Sequence, residues 1–258
     1  MNILSRLLAH PLTAGLDIND PKTTEIRRDI IRSKPFLFRI YEEWYQGMAD
    51  QIPKGEGGIL EIGSGGGFLR EYVPGLITSD ILPCEGVDLV IDACKHIPCD
   101  DHSLKALLML NVLHHLPDPL IFLSECSRCL RSGGRVIMVE QWVTPWSSLI
   151  YKKLHYEPFD ASVPEWRVFS DGPLTGANGA LPWIIFERDR EIYDAKFPEL
   201  PVESIHLMMP LSYLASGGVS MRSLLPGGAY STFRFIEGLL NPVNRYCAMF
   251  VQIVIRKV

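Results

Sequence analysis

The stretch Ile59-Leu60-Glu61-Ile62-Gly63-Ser64-Gly65-Gly66-Gly67-Phe68 joins an apolar run, a carboxylate and a glycine cluster. It reads as a buried strand, a tight turn and the start of a helix over residues 68–73. Glycines serve where backbone must turn sharply and let a ligand come close. A helix start directs unsatisfied N–H groups at whatever sits there. The Gly-x-Gly-x-x-Gly fingerprint of dinucleotide binding fails in both registers, because its third glycine falls on Phe68 or on Arg70. A pyrophosphate would also be repelled by Glu61. The pattern that fits in full is acid-x-Gly-x-Gly-x-Gly, at Glu61, Gly63, Gly65 and Gly67. Further on, His114-His115 follows one apolar run and Glu140-Gln141 ends another. Imidazole and carboxylate at strand ends can take a proton from a reacting group.

The elements that must position these residues follow in order. Leu76-Ile77-Thr78-Ser79-Asp80 is a second apolar run ending in an acid, and Val87-Asp88-Leu89-Val90-Ile91-Asp92 is a third, followed by Ala93. His96-Ile97-Pro98-Cys99-Asp100-Asp101-His102-Ser103 leads to a fourth strand, Ala106-Leu107-Leu108-Met109-Leu110, and Asn111-Val112-Leu113-His114-His115-Leu116 follows it. Gly133-Gly134 precedes a fifth, Arg135-Val136-Ile137-Met138-Val139-Glu140. From the glycine turn through this series, residues 55–142 resemble the class I methyltransferases that use S-adenosylmethionine, with a type 11-like methyltransferase domain. The resemblance implies a Rossmann-like α/β fold, a mostly parallel seven-stranded sheet with helices on both faces. It implies that S-adenosylmethionine is held by Glu61, Gly63, Ser64, Gly65, Gly67, Asp80, Asp92, Ala93 and Asn111. Glu61 would favour the cofactor's ammonium, Asp80 would accept from the ribose hydroxyls, and Asp92 would face the adenine amino group. His115 is the candidate catalytic residue, just past the fourth strand. His114 is expected to diverge from it, with at most one of the two facing the cleft. One departure stands out: Asp80 and Asp88 are too close for the helical crossover that parallel neighbours normally need.

Composition narrows the field. The chain has 258 residues and a formal net charge of −5, with a pI near 5.8 and mean hydropathy +0.10. That suits a single domain with a full core. No Lys/Arg cluster marks a nucleic-acid partner, and no apolar stretch is long enough to span a membrane. Residues 1–12 carry Arg6 and His10 within an apolar run, which makes a poor signal peptide. A helix packed on the domain is expected there, with grip on a membrane surface as the alternative. The cytoplasm is the expected compartment. Cys126-x-x-Cys129 has no second pair to complete a tetrahedral site. It falls in a helix capped by Asp118 and opened by Pro119, so buried core thiols are expected and no metal is assigned.

The single domain divides into a helical cap over residues 1–54, the cofactor core at 55–142, an insertion at 143–201, and the sixth and seventh strands within 202–258. Thr23 or Thr24 is expected to cap the first long helix, and residues 36–51 form the second, with Phe36, Leu37, Ile40, Trp44 and Met48 on one stripe. The insertion is rich in Trp, Pro and Gly and shows little periodicity beyond residues 147–155. Trp142, Trp146, Tyr151, Trp166 and Trp183 are expected to wall an acceptor pocket at the carboxyl edge of the sheet, where open α/β sheets bind ligands. Glu140 and Gln141 are second candidates for chemistry, and His155, Glu157, Asn178 and Arg190 for reading a polar acceptor. The box that marks methyltransferases of planar amino nitrogens is absent at Asn111-Val112-Leu113-His114. The expected activity is therefore methyl transfer to an oxygen or carbon of a small-molecule, sugar or lipid-precursor acceptor. The alternative is a catalytically silent cofactor-binding regulator; an aminopropyl transferase is disfavoured because no acidic cluster follows Asn111.

Overall fold

Seven strands form one sheet in the computed structural model, which describes residues 10–13, 16–155, 157–169, 172 and 174–258. They are β1 (Gly58–Ile62), β2 (Leu76–Asp80), β3 (Leu89–Val90), β4 (Leu104–Leu110), β5 (Leu130–Gln141), β6 (Val202–Met208) and β7 (Phe250–Arg256). Their spatial order is β3-β2-β1-β4-β5-β7-β6. β7 alone runs antiparallel to its neighbours. The strands read as near-continuous apolar runs because both faces are covered. On β1, Leu60 and Ile62 enter one core while Ile59 enters the other.

The short link between the second and third strands is real. β3 pairs only at Ser79↔Leu89 and Asp80↔Val90, so the chain needs to fold back just far enough to lay two residues beside the tip of β2. The Asp88 carboxylate anchors this return by accepting from Thr78 N at 2.9 Å and from the Arg70 guanidinium.

The helix expected after the glycine turn is a single 3-10 turn, Leu69–Glu71. Pro74 and Gly75 stop it at once, and β2 begins at Leu76. The N-terminal helices fill the space instead. α1 (Pro21–Ser33) is capped by Asp20, whose side chain accepts from Lys22 N, while Thr23 and Thr24 are buried within it rather than capping it. α2 (Pro35–Ala49) lays Phe36, Leu37, Ile40, Trp44, Tyr45 and Met48 into the core. Phe38 stacks on Phe68 with ring centroids 4.9 Å apart, and Tyr45 Oη accepts from Phe68 N at 3.2 Å.

The opposite face is covered by α3 (Pro119–Cys129), with Asp118 as cap, Pro119 at the first position and Phe122, Leu123, Cys126 and Cys129 buried. Both cysteines are free thiols in this core, and burial pushes the Cys126 thiol well up. After α4 (Pro145–Leu154), residues 181–196 form a helical run through a π turn, Ile184–Arg188, and α5 (Arg190–Lys196). Leu181, Ile184, Ile185, Phe186 and Tyr193 of that run pack into the same core as α3. The insertion therefore supplies a sheet-face layer as well as a loop. Of the tryptophans expected to wall a pocket, Trp142, Trp166 and Trp183 join this core and Trp146 the other. Residues 1–9 lie outside the described residues; Pro11–Thr13 is a 3-10 turn. No helix among the described residues is long and apolar enough to cross a membrane.

Candidate active site

The chain leaves β1 toward β2 on one side and takes up β4 on the other, so a crevice opens at the carboxyl ends of β1 and β4. The glycine turn sits in it. Ser64 ties the turn to β2, with its N–H donating to Ser79 O at 2.8 Å and its Oγ accepting from Ser79 N at 3.1 Å. The Ser64 hydroxyl donates to Glu61 Oε2 at 2.7 Å. Gly65 has φ +47, and an added Cβ would point at Asp80 and Thr24. Gly66 is glycine for a different reason. A Cβ there would meet Thr24 O at 2.8 Å and Arg28 N at 2.9 Å, so the bare backbone lets α1 roof the turn.

Two cavities of ≈ 200 and ≈ 160 Å³ share Gly63, Gly65, Gly66, Asn111, His115 and Arg27 as walls, making one bent cleft. Every residue expected to hold the cofactor borders it. Glu61, Ser64 and Gly67 line the first cavity; Asp80, Asp92 and Ala93 line the second; Gly63, Gly65 and Asn111 line both. Asp80 is buried and accepts from Gly65 N and Leu82 N, each at 2.9 Å. Ile81 N also approaches the Asp80 carboxylate, which keeps acceptor capacity beyond these bonds. Burial raises its carboxyl, partly offset by those bonds. Asp92 accepts from Cys94 N at 3.0 Å and pairs with Lys95. Glu61 is 3% exposed. Burial pushes its carboxyl up to about 7, against the Ser64 hydrogen bond, with Asp80 adding to the rise. Asn111 has φ +54, and its Oδ1 is buried without a hydrogen-bond partner.

Beyond β4 the chain makes a 3-10 turn, Leu113–His115. Glu140, fully buried at the end of β5, holds it. Its Oε1 accepts from Val112 N at 2.8 Å and Leu113 N at 2.6 Å, and its Oε2 lies 2.7 Å from His114 Nδ1. Contrary to expectation, the two histidines do not diverge. Their rings lie 4.2 Å apart and both border the first cavity. His115 Nδ1 lies 3.0 Å from Gly176 O, and Asn178 N donates to His114 O at 2.9 Å. Glu157 lies 3.6 Å from His114 Nε2, 3.9 Å from His115 Nε2 and 3.7 Å from His155 Nδ1. Burial opposes charge on His114, but Glu140 and then Glu157 outweigh it and raise the imidazole to about 10. Burial, then the charge of His114, lowers His115 to about 4. Burial raises Glu157, but its three histidine neighbours hold it far below the ordinary carboxylate range.

Other expectations resolve differently. Glu140 positions the histidine turn from within. Asn178 spends its side chain on Asp160 and Ala180, and Arg190 pairs with Asp194 on the surface. Among the described residues no tryptophan borders the cleft, and its tyrosine walls are Tyr41 and Tyr45 of α2 and Tyr213. Sequence reasoning missed these tyrosines and Arg27. Tyr41 and Tyr45 lie on the buried stripe of an amphipathic helix, where nothing in the periodicity separates a cleft wall from core.

Residues 60–138 match the family model described as a methyltransferase domain. A search of curated proteins finds no match. Among solved structures, the chain is similar to geranyl diphosphate C-methyltransferase from Streptomyces coelicolor A3(2), solved with Mg2+, geranyl diphosphate and S-adenosyl-L-homocysteine. The identity is 15% and the TM-score 0.52, over 97% of this chain and 89% of that one. It is also similar to a geranyl diphosphate methyltransferase solved with S-adenosylmethionine, at 16% identity and TM-score 0.52, over 97% and 96% of the two chains. Residues 60–138 thus match the methyltransferase-domain model, and the chain as a whole adopts the Rossmann-like fold of class I methyltransferases.

Proposed function

We propose that this protein transfers the methyl group of S-adenosylmethionine to an oxygen or carbon of a small-molecule acceptor, with a sugar or lipid precursor inside that class. The observation that carries the reading is the bent cleft, which places carboxylates beyond one side of the glycine turn and the His114–His115–Glu157 group beyond the other. The residues suit the cofactor. Asp80 has lone pairs left for ribose hydroxyls, Ala93 and Asp92 border an adenine-sized recess, and Glu61 offers charge to an ammonium. The orphaned Asn111 Oδ1 asks for a donor, since a buried unpaired acceptor is costly. When bound, the cofactor supplies an electrophilic methyl on a sulfonium; the acceptor's electron pair takes it and the sulfur keeps the pair of the broken bond.

The chain's part is alignment, exclusion of water and care of the acceptor's proton. Alignment comes from the rigid ends of β1, β4 and β5. Exclusion comes from α1 above the glycine turn and from the loop bearing Gly176 and Asn178, which we assign as the cover. His115, bordering both cavities, stands where the acceptor's reacting end would meet the methyl group.

Labelled S-adenosylmethionine and a small-molecule extract test the reading. We expect S-adenosylhomocysteine release with a labelled product, and His115→Ala should cut turnover far more than S-adenosylhomocysteine affinity. Folded wild-type protein giving no calorimetric heat with either S-adenosylmethionine or S-adenosylhomocysteine would refute it.

A further inference from the structure

We infer that His114 Nε2, His115 Nε2 and the Glu157 carboxylate bind a divalent transition-metal ion of the zinc class at the acceptor end of the cleft. The sequence reading assigns no metal, since Cys126-x-x-Cys129 has no second pair to complete a site. The fold brings one ligand atom from each of the three within 4.8 Å of the others.

The hydrogen bonds decide which nitrogens are free for a ligand role. Gly176 O can only accept, so His115 Nδ1 carries the proton and Nε2 carries the lone pair. Glu140 already accepts two backbone N–H bonds through Oε1, which marks it as a carboxylate, so His114 Nδ1 donates to Oε2. Its Nε2 then faces Glu157 and becomes a ligand once an ion displaces its proton. Both nitrogens turn toward one carboxylate at 3.6 and 3.9 Å. Those separations exceed hydrogen-bond length. They are close to the spacing of about 3.4 Å between ligand atoms set tetrahedrally around an ion with bonds of about 2.05 Å. An ion between them would take the place of the proton that His114 Nε2 turns toward Glu157 and would bind the lone pair of His115 Nε2.

The supporting contacts match those of metal-binding histidines, in which the second ring nitrogen donates to a carboxylate or a backbone carbonyl. Here one histidine has each kind of partner. Two imidazoles and one carboxylate favour zinc, cobalt or nickel over Mg2+, which prefers oxygen ligands and keeps its waters. Three protein ligands leave a position open, as in catalytic rather than structural sites. The first cavity, which Glu61 and the glycine turn share with the three ligands, is where an acceptor would meet that position. The acceptor class is therefore one with an ionisable oxygen, such as a phenol, an enol or a hydroxy acid, whose proton passes to solvent more readily beside the ion. This role rests on the methyl-transfer reading; the ion site does not.

The test uses the full chain, stripped with chelator and titrated with Co2+. We expect one equivalent bound, with visible absorption of the intensity typical of four- or five-coordinate cobalt. His115→Ala and Glu157→Ala should each weaken Co2+ binding 100-fold or more, and Glu140→Gln, which alters only the group positioning His114, by 10- to 100-fold. Melting curves followed by circular dichroism check that the variants fold. Wild-type protein that binds no Co2+, or gives only the weak absorption of hexa-aqua cobalt, overturns the inference without needing any variant. So does stoichiometric binding that survives in folded Glu157→Ala at wild-type affinity. Calorimetry with S-adenosylhomocysteine on the same sample keeps the two readings apart. Heat with S-adenosylhomocysteine but no cobalt site removes the ion and leaves the methyltransferase reading standing.

Discussion

Replacing Glu61 by Gln isolates what the buried carboxylate costs the protein and what it does for a ligand. The carboxyl rises from 4.5 to about 7 on folding, chiefly because burial disfavours its charge. At 1.36 kcal/mol for each pH unit, the rise corresponds to about 3.4 kcal/mol. The sign is that of an acid whose folded pKa exceeds its unfolded one. The folded state holds the extra proton between pH 4.5 and 7, so stability falls as pH rises through that window, and the whole cost is present above pH 7. Between pH 5 and pH 8 this group alone should destabilise the wild type by about 2.5 kcal/mol. Glu61→Gln has no charge to bury and nearly the same shape, so its stability relative to wild type should grow by about that amount from pH 5 to pH 8. Urea unfolding at the two pH values measures this. The ligand reverses the effect. If the ionised carboxylate is what holds the ammonium of S-adenosylhomocysteine, wild-type affinity should fall about tenfold from pH 8 to pH 6, as protonation through pH 7 removes the charge. The Gln variant should bind weakly at both values. A variant-minus-wild-type stability difference that is the same at pH 5 and pH 8 would show that Glu61 is not protonated by burial. A variant that binds S-adenosylhomocysteine as well as wild type would remove Glu61 from the cofactor site.

Gly65→Val should lower S-adenosylhomocysteine affinity at least tenfold and cost about 1–3 kcal/mol of stability, because a β-branched residue is strained at φ +47 and its side chain enters the cleft beside Asp80; calorimetry and thermal melting read the two effects, and wild-type binding would contradict the placement. Asp92→Ala should weaken S-adenosylhomocysteine binding by about 1.5–3 kcal/mol, the worth of a hydrogen bond to a charged group, while the exposed end of its Lys95 pair contributes little to stability; an unchanged Kd moves the adenine site elsewhere. Amide exchange across residues 174–180 should slow when S-adenosylhomocysteine and an acceptor are bound, since Asn178 N and Gly176 O hold the histidine turn; equal protection in both states would show that this loop is no cover.

Short-range chemistry determined much of this protein. The glycine turn with Glu61, the acid ending the second strand, the Asp118-Pro119 helix start and the apolar run of β7 were legible because each depends on residues a few positions apart, whereas Asp92 falls past a third strand of only Leu89–Val90. Periodicity and capping are local, and they specify which elements form and in what order. The tertiary structure decided which elements stand beside one another. The missing helix after Phe68 is traceable to Pro74 and Gly75, yet that α1 and α2 would take its place depends on contacts such as Gly66 with Thr24 and Tyr45 with Phe68. Aromatic content alone could not say that the insertion's tryptophans serve the sheet-face cores while Tyr41, Tyr45 and Tyr213 wall the cleft. The meeting of His114, His115 and Glu157 is of the same kind. Adjacent histidines suggest divergence until the buried Glu140 sets their turn and the loop carrying Gly176 and Asn178 closes on it. Direction and burial of a side chain at a strand end follow from what packs against it, and those partners come from distant parts of the chain.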